Sequence, residues 1–291
     1  MLQVLGSEAF MGPLRDAATA GESVLFRGRI EVHGEPIRCY IKPFPPLIKR
    51  ADGDLTENRS IVSEALGYTL AKSCGLSVAR TAGVIILQQD QIPMAALEKL
   101  AAQSPSGLAE PEYLAWFSED MRVSPLIVEC PSDAPELVRQ RNFSRIASDL
   151  ASHKKSPSIA SFDEWTENSD RHLGNLLGSS DGELILIDHG RIFRTPTWSP
   201  EDLESSPLPL RNALMDLIDS FTPNWSERSP TRSARILAYK AFSVAWGKDG
   251  RSLASGALSE FMVHSEVEQV LEFLSARLEP GFYTAKVGLI A

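Results

Sequence analysis

Residues 169–193 read SDRHLGNLLGSSDGELILIDHGRIF, and this stretch decides the fold. Its outer ends are polar: Asp170-Arg171-His172 with Asn175 on one side, Asp188-His189-Gly190 on the other. Between them lie two apolar runs, the short Leu176-Leu177 and the strand-length Leu184-Ile185-Leu186-Ile187. Ser179-Ser180-Asp181-Gly182 separates the runs with residues that favour a tight turn. The pattern predicts a hairpin that brings Asp170, Asn175 and Asp188 together at one edge of a cleft.

Such a set suits phosphoryl transfer. Asp170 can accept the proton of an attacking hydroxyl, and His172 is its nearest rival as base or as a support for the moving phosphate. Asn175, five residues on, can ligand magnesium through its amide oxygen, and Asp188 can hold the same ion against nucleotide phosphates. Hard oxygen donors match magnesium, and catalysis of this kind is mostly positioning and charge neutralisation. Singly, these residues have ordinary explanations as turn caps and strand ends. The ordered string is far more specific.

The strings D-R-H-L-G-N-L-L and L-I-L-I-D-H-G resemble the catalytic and metal-binding loops of HipA-like kinases and of phosphatidylinositol 3/4-kinases. Phe162-Asp163-Glu164-Trp165 and Asn168 add to the HipA-like appearance. The resemblance implies an α+β, two-lobed protein-kinase-like fold, with a small β-rich N-lobe over residues 1–100 and a mainly helical C-lobe over 101–291. It also implies ATP as phosphate donor, together with Mg2+. Within that pattern Lys42, at a strand end, would reach the nucleotide phosphates, and Glu64 would orient it from a helix. The backbone around Ala95, Leu97 and Glu98 would contact adenine. Two features depart from the pattern of protein kinases. D-H-G stands where they have D-F-G, and Gly21, Gly28 and Gly34 form no G-x-G-x-x-G phosphate loop.

Outward from this centre, the chain of 291 residues is long enough for one large domain or two lobes. It is 43% hydrophobic and 23% charged, as soluble globular proteins are. A net charge of −9 with no basic tract argues against a dedicated nucleic-acid surface. Three scattered cysteines, Cys39, Cys74 and Cys130, give neither a disulfide framework nor a metal-ligand pair. The amino-terminal residues do not resemble a secretion signal, so none is expected, and no run approaches the ~18 apolar residues of a membrane span. The expectation is a cytoplasmic protein.

In chain order, Ser23 to Phe44 predicts a hairpin turning at His33-Gly34-Glu35-Pro36, with Lys42 at its end. Pro43 to Asn58 reads as a loop and Arg59 to Cys74 as a helix stopped by Gly75. Leu76 to Arg80 and Gly83 to Leu87 suggest strands. Ile92 to Leu100 suggests another strand, leading to a linker over Ala101 to Glu110. Helices are expected over Pro135 to His153, Ser158 to Asn168, Leu210 to Phe221, Ser233 to Trp246 and Val263 to Leu278. An irregular substrate loop is expected from Arg194 to Pro209. The leading function is a kinase acting on a protein hydroxyl, serine or threonine. The alternatives are a lipid kinase, a pseudokinase serving as a nucleotide-binding regulatory module, and a metal-dependent hydrolase using Asp170, His172, Asp188 and His189.

Overall fold

The structure, a computed structural model, describes residues 2–14, 24–50, 52–203 and 212–286. Strands β1 (Gln3–Leu5), β2 (Phe10–Pro13), β3 (Phe26–Val32) and β4 (Glu35–Pro43) come first. β3 alternates strictly: Phe26, Gly28, Ile30 and Val32 are buried, while Arg27, Arg29 and Glu31 take the other face. It turns into β4 through His33 and Gly34, whose φ angles are 53° and 83°. Two positive φ values in a two-residue loop make a type I′ turn, whose twist matches a hairpin. The expected hairpin is present, although its first residue, Ser23, and Gly21 before it lie outside the described residues.

Pro43 to Asn58 is more ordered than its composition suggests, because β5 (Leu47–Lys49) and β6 (Leu55–Glu57) pair there in a two-stranded ladder. Helix α1 (Ser60–Ser73) then ends at Gly75, φ 69°, where the Leu76 amide donates to the Ala71 carbonyl and the Gly75 amide to Lys72. These two bonds satisfy carbonyls that the helix end leaves open. β7 (Ser77–Val78) and β8 (Ala82–Gln88) follow, then helix α2 (Met94–Gln103) and β9 (Glu112–Glu119).

The segment Ile92 to Leu100 is therefore not a strand. Met94–Gln103 is built from strong helix formers, and Ala96, Leu97 and Leu100 share its buried side. The amides of Ala96 and Leu97 donate to the Pro93 carbonyl, so Ala95, Leu97 and Glu98 sit in a helix and offer no extended backbone edge to a base. The strand that fills the expected place is β9, which pairs antiparallel with β8 on one side and β4 on the other. The main sheet runs β1-β8-β9-β4-β3-β2. One core cluster joins Phe26, Ile30, Ile41, Ile85, Leu100 and Phe117. Burying a side chain such as Leu100 contributes roughly 2 kcal/mol.

The chain divides into two compact units, Met1–Leu66 with Ala79–Arg122 and Gly67–Val78 with Val123–Ala291. The later boundary between the units falls after β9, at Arg122, and residues 67–78 belong with the second unit. In the second unit, α3 (Glu136–Ser152) and α4 (Ser156–Trp165) precede β10 (Leu176–Gly178) and β11 (Leu184–Leu186). After a short helix, α5 (Pro200–Leu203), come α6 (Ala213–Phe221), α7 (Ser229–Ala245), α8 (Arg251–Ser259), α9 (His264–Ala276) and α10 (Pro280–Lys286). α9 ends at Ala276, two residues short of the expected Leu278, and Pro280 opens α10, since proline suits a first helical turn. The expected irregular loop is helical at α5, and its later part, with Leu210, lies outside the described residues.

The centre of the second unit is α4. Phe162 and Trp165 are fully buried, and Trp165 stacks on Phe242 and meets Trp246 edge to face. The Trp165 indole donates to the Leu274 carbonyl at 2.9 Å, satisfying its polar end. Arg277 donates to the carbonyls of Glu164 and Trp165, at 2.6 and 2.9 Å, capping the helix end with a cation. α4 is thereby fixed just before the chain enters the polar loop at Asp170.

Candidate active site

In the first unit, β4 carries Lys42 and α1 carries Glu64. Lys42 Nζ donates to Glu64 Oε1 at 3.1 Å, and the two side chains are 15% and 1% exposed. A lysine at the strand end and a glutamate 22 residues on thus form a desolvated pair, as the sequence pattern predicts. The bond is worth about 1.5–3 kcal/mol, the range for hydrogen bonds between charged groups. A double-mutant cycle on Lys42→Met and Glu64→Leu is expected to give a coupling of about 1–3 kcal/mol in urea unfolding. A coupling near zero would mean that the two side chains act independently.

In the second unit, β10 and β11 form the expected hairpin, with Leu176 opposite Leu186 and Gly178 opposite Leu184. Gly182 turns it with φ 84°. Asp170 and Asn175 lie just before β10, and Asp188 lies just after β11. The Ile187 amide donates to the Asn175 carbonyl at 3.2 Å, so the two outer ends are tied together. Asn175 Nδ2 donates to the Asp170 carbonyl at 2.8 Å. That bond fixes the amide orientation, because a carbonyl can only accept. Oδ1 of Asn175 is then left as a hard oxygen donor beside the Asp188 carboxylate's loop, which fits a magnesium ligand set.

Asp170 is half exposed, and His172 Nε2 lies 3.9 Å from its Oδ1. The Gly174 amide donates to His172 Nδ1 at 2.9 Å. Asp188 has φ 56°, in the left-handed region. Of the seven non-glycine residues described at positive φ, four surround this site: Glu167, Asp188, Phe193 and Arg194. Strained backbone of this kind gathers where structure serves function. Phe193 and Arg194 are stapled back to the end of α4, their amides donating to Thr166 and Glu167 carbonyls. The Arg194 guanidinium grips Glu167 through two bonds, at 2.8 and 3.0 Å.

Arg171 had no role in the sequence reading, yet it organises the site. Its side chain is wholly buried and contacts the Asp163 carboxylate at 3.2 Å. It also donates to the Asn175 carbonyl at 3.2 Å and the Ile187 carbonyl at 2.6 Å, and meets His189 Nδ1 at 3.3 Å. One guanidinium therefore clamps both loops to α4. Burial pushes the Asp163 carboxyl up to about 6, with Arg171 and Asn168 opposing the rise. The only clue in the sequence was an arginine set between two polar motif residues.

Gly67 on α1 admits His189. A Cβ at Gly67 would stand 2.4 Å from His189 Cβ and 2.8 Å from its Cγ. Gly67→Ala is expected to destabilise the protein by about 1–3 kcal/mol through overpacking. This outweighs the roughly 1 kcal/mol that alanine gains over glycine in a helix. A denaturation midpoint at or above that of the parent would remove this contact from the account.

Among the other sequence candidates, Cys39 and Cys74 are inert thiols, burial pushing both up to about 12. Among the described residues, no three His, Cys, Asp or Glu side chains converge as metal ligands. The four-ligand hydrolase arrangement of Asp170, His172, Asp188 and His189 is accordingly not formed. Nor is any helix among the described residues long and apolar enough to cross a membrane.

No family model matches the chain. Comparison with curated proteins likewise gives no match. Among solved structures, the chain is similar to the proinflammatory kinase CtkA of Helicobacter pylori, with a TM-score of 0.56 and 11% identity, each chain being covered over 98% of its length. At that identity the likeness speaks for architecture alone: the chain has an α+β, two-lobed kinase-like fold.

Proposed function

We propose that the protein is an ATP- and magnesium-dependent kinase that transfers the γ-phosphate to a hydroxyl, on a protein serine or threonine, in the HipA-like manner. The observation that carries this reading is the Asn175 amide, held by Asp170's carbonyl so that its oxygen is spare, on a loop bonded to the strand that delivers Asp188. In this reading Lys42, steadied by Glu64, binds phosphate oxygens. Asn175 and Asp188 are the metal ligands, and Asp170 orients the acceptor hydroxyl and takes its proton. Magnesium, when bound, neutralises phosphate charge. Arg171 holds both loops in register, so their geometry precedes ligand binding.

The Lys42–Glu64 pair favours this over a pseudokinase, since a regulatory module has no need of the full set of catalytic and metal-binding residues. The net charge of −9 favours a protein acceptor over an anionic lipid surface. Incubation of the protein with ATP and magnesium in a cell extract, followed by mass spectrometry, tests it. Phosphorylated serine or threonine peptides that depend on Asp170 support the proposal, and phosphorylated inositol lipids in their place would overturn the protein-kinase part.

A further inference from the structure

On the exposed face of the first unit's sheet, β3 and β4 set Arg29 directly opposite Arg38. Side chains so placed have Cβ atoms about 5 Å apart, and like charges there are destabilising. Both arginines line an open cavity of about 700 Å3, together with Arg80, Arg122, Glu119 and Asp120. The two carboxylates already have partners. Asp120 accepts from Arg27 at 2.9 Å, with Arg38 Nε at 4.0 Å, and Glu119 binds Arg80 at 2.6 Å. Among the described residues, no carboxylate lies within ion-pair distance of Arg29 or Arg122.

Arg122 is unusual in its backbone as well. Its φ is 55°, held by the bond from its own amide to Asp120 Oδ1 at 2.9 Å. Arginine has none of the local side-chain bonding that lets Asn or Asp visit this region. A like-charge cross-strand pair, a left-handed arginine and two uncompensated guanidiniums thus meet at one cavity, in a chain of net charge −9. Local rules broken together, with no local gain, mark functional positions.

We propose that this cavity is a binding site for a phosphate-type dianion, carried on a phosphorylated side chain or free in solution, and separate from the nucleotide lysine. Guanidinium forks match phosphate oxygens in pairs, which explains why every cation lining the cavity is an arginine. Lys42 is four residues further along β4 than Arg38, roughly 13 Å at the rise of a strand. A single phosphate cannot bridge the two. A bound dianion would offset the Arg29–Arg38 repulsion, so binding should raise stability and weaken with added salt.

Isothermal titration at low salt with inorganic phosphate, and with a short phosphoserine peptide and its unphosphorylated twin, tests the proposal. The parent protein and Lys42→Met are expected to bind the phosphorylated probes equally. Arg29→Ala/Arg122→Ala, which alters only exposed side chains, is expected to bind them at least tenfold more weakly. Tighter binding of the phosphoserine peptide than of phosphate would identify a phosphorylated side chain as the ligand, and equal binding a free oxyanion. Unchanged affinity in the arginine variant, loss only in Lys42→Met, or no binding by the parent would each overturn the site. None of these outcomes depends on whether the protein turns over ATP, so this site and the kinase reading stand or fall separately.

Discussion

Asp170→Asn is expected to lower phosphate transfer by about 10²–10⁴-fold, the range for general acid–base groups, while ATP affinity stays unchanged. The separation follows from the proposed role of Asp170, which is toward the acceptor and not the nucleotide. Within the proposed mechanism, the hydrogen bonding of His172 favours Asp170 as the base. His172 Nδ1 accepts the Gly174 amide, so the neutral ring carries its proton on Nε2, the atom that faces Asp170. A ring in that tautomer has no spare lone pair for an acceptor proton. His172→Ala is accordingly expected to cost less than Asp170→Asn under saturating ATP. The reverse order, with Asp170→Asn near normal and His172→Ala inactive, would exchange their roles.

Arg171→Met should cost about 3–5 kcal/mol of stability, the loss typical when one partner of a buried ion pair is removed. The side chain is wholly buried, and its loss strands the Asp163 carboxylate inside α4's packing. Without the cation, the Asp163 carboxyl rises further above its already raised value of about 6 and takes up a proton near neutral pH. The carbonyls of Asn175 and Ile187 lose a donor at the same time, so the two loops are no longer tied through one group. Pairing Arg171→Met with Asp163→Leu should recover part of the loss, because no charge is then left unpaired. Urea unfolding measures both variants. A loss below 1 kcal/mol for the single change would show that the clamp is incidental.

Much of this was legible from residues alone, where chemistry and spacing agree. The 179–182 turn residues separate two apolar runs, and β10 and β11 follow with the polar ends tied as expected. Lys42 lies next to last in β4, whose buried residues Cys39, Ile41 and Pro43 alternate with half-buried ones, and Glu64 is buried on a helix with a clear glycine stop. The region from Ile92 to Glu119 differs from its sequence pattern. Chain order suggested a strand at 92–100, but Met, Ala, Leu, Glu and Lys in succession prefer a helix, and that local preference prevailed in Met94–Gln103. β9 was missed because both its neighbours are strands. Tyr113-Leu114-Ala115-Trp116-Phe117 is a continuous apolar run, so the period-2 burial of Tyr113, Ala115 and Phe117 does not show in the residue types. The work of Arg171 was hidden for another reason. Its partners lie up to 18 residues from it in sequence and meet only after α4 and the hairpin have packed.

The central claim is that Asn175 and Asp188 hold magnesium for phosphate transfer. The most direct measurement follows γ-labelled phosphate from ATP to protein, at increasing magnesium, for the parent and for Asp188→Asn. The account predicts transfer by the parent that requires magnesium, and its collapse in Asp188→Asn even at the highest magnesium concentration. Equal transfer by the two proteins, or transfer by the parent in chelator, would contradict it.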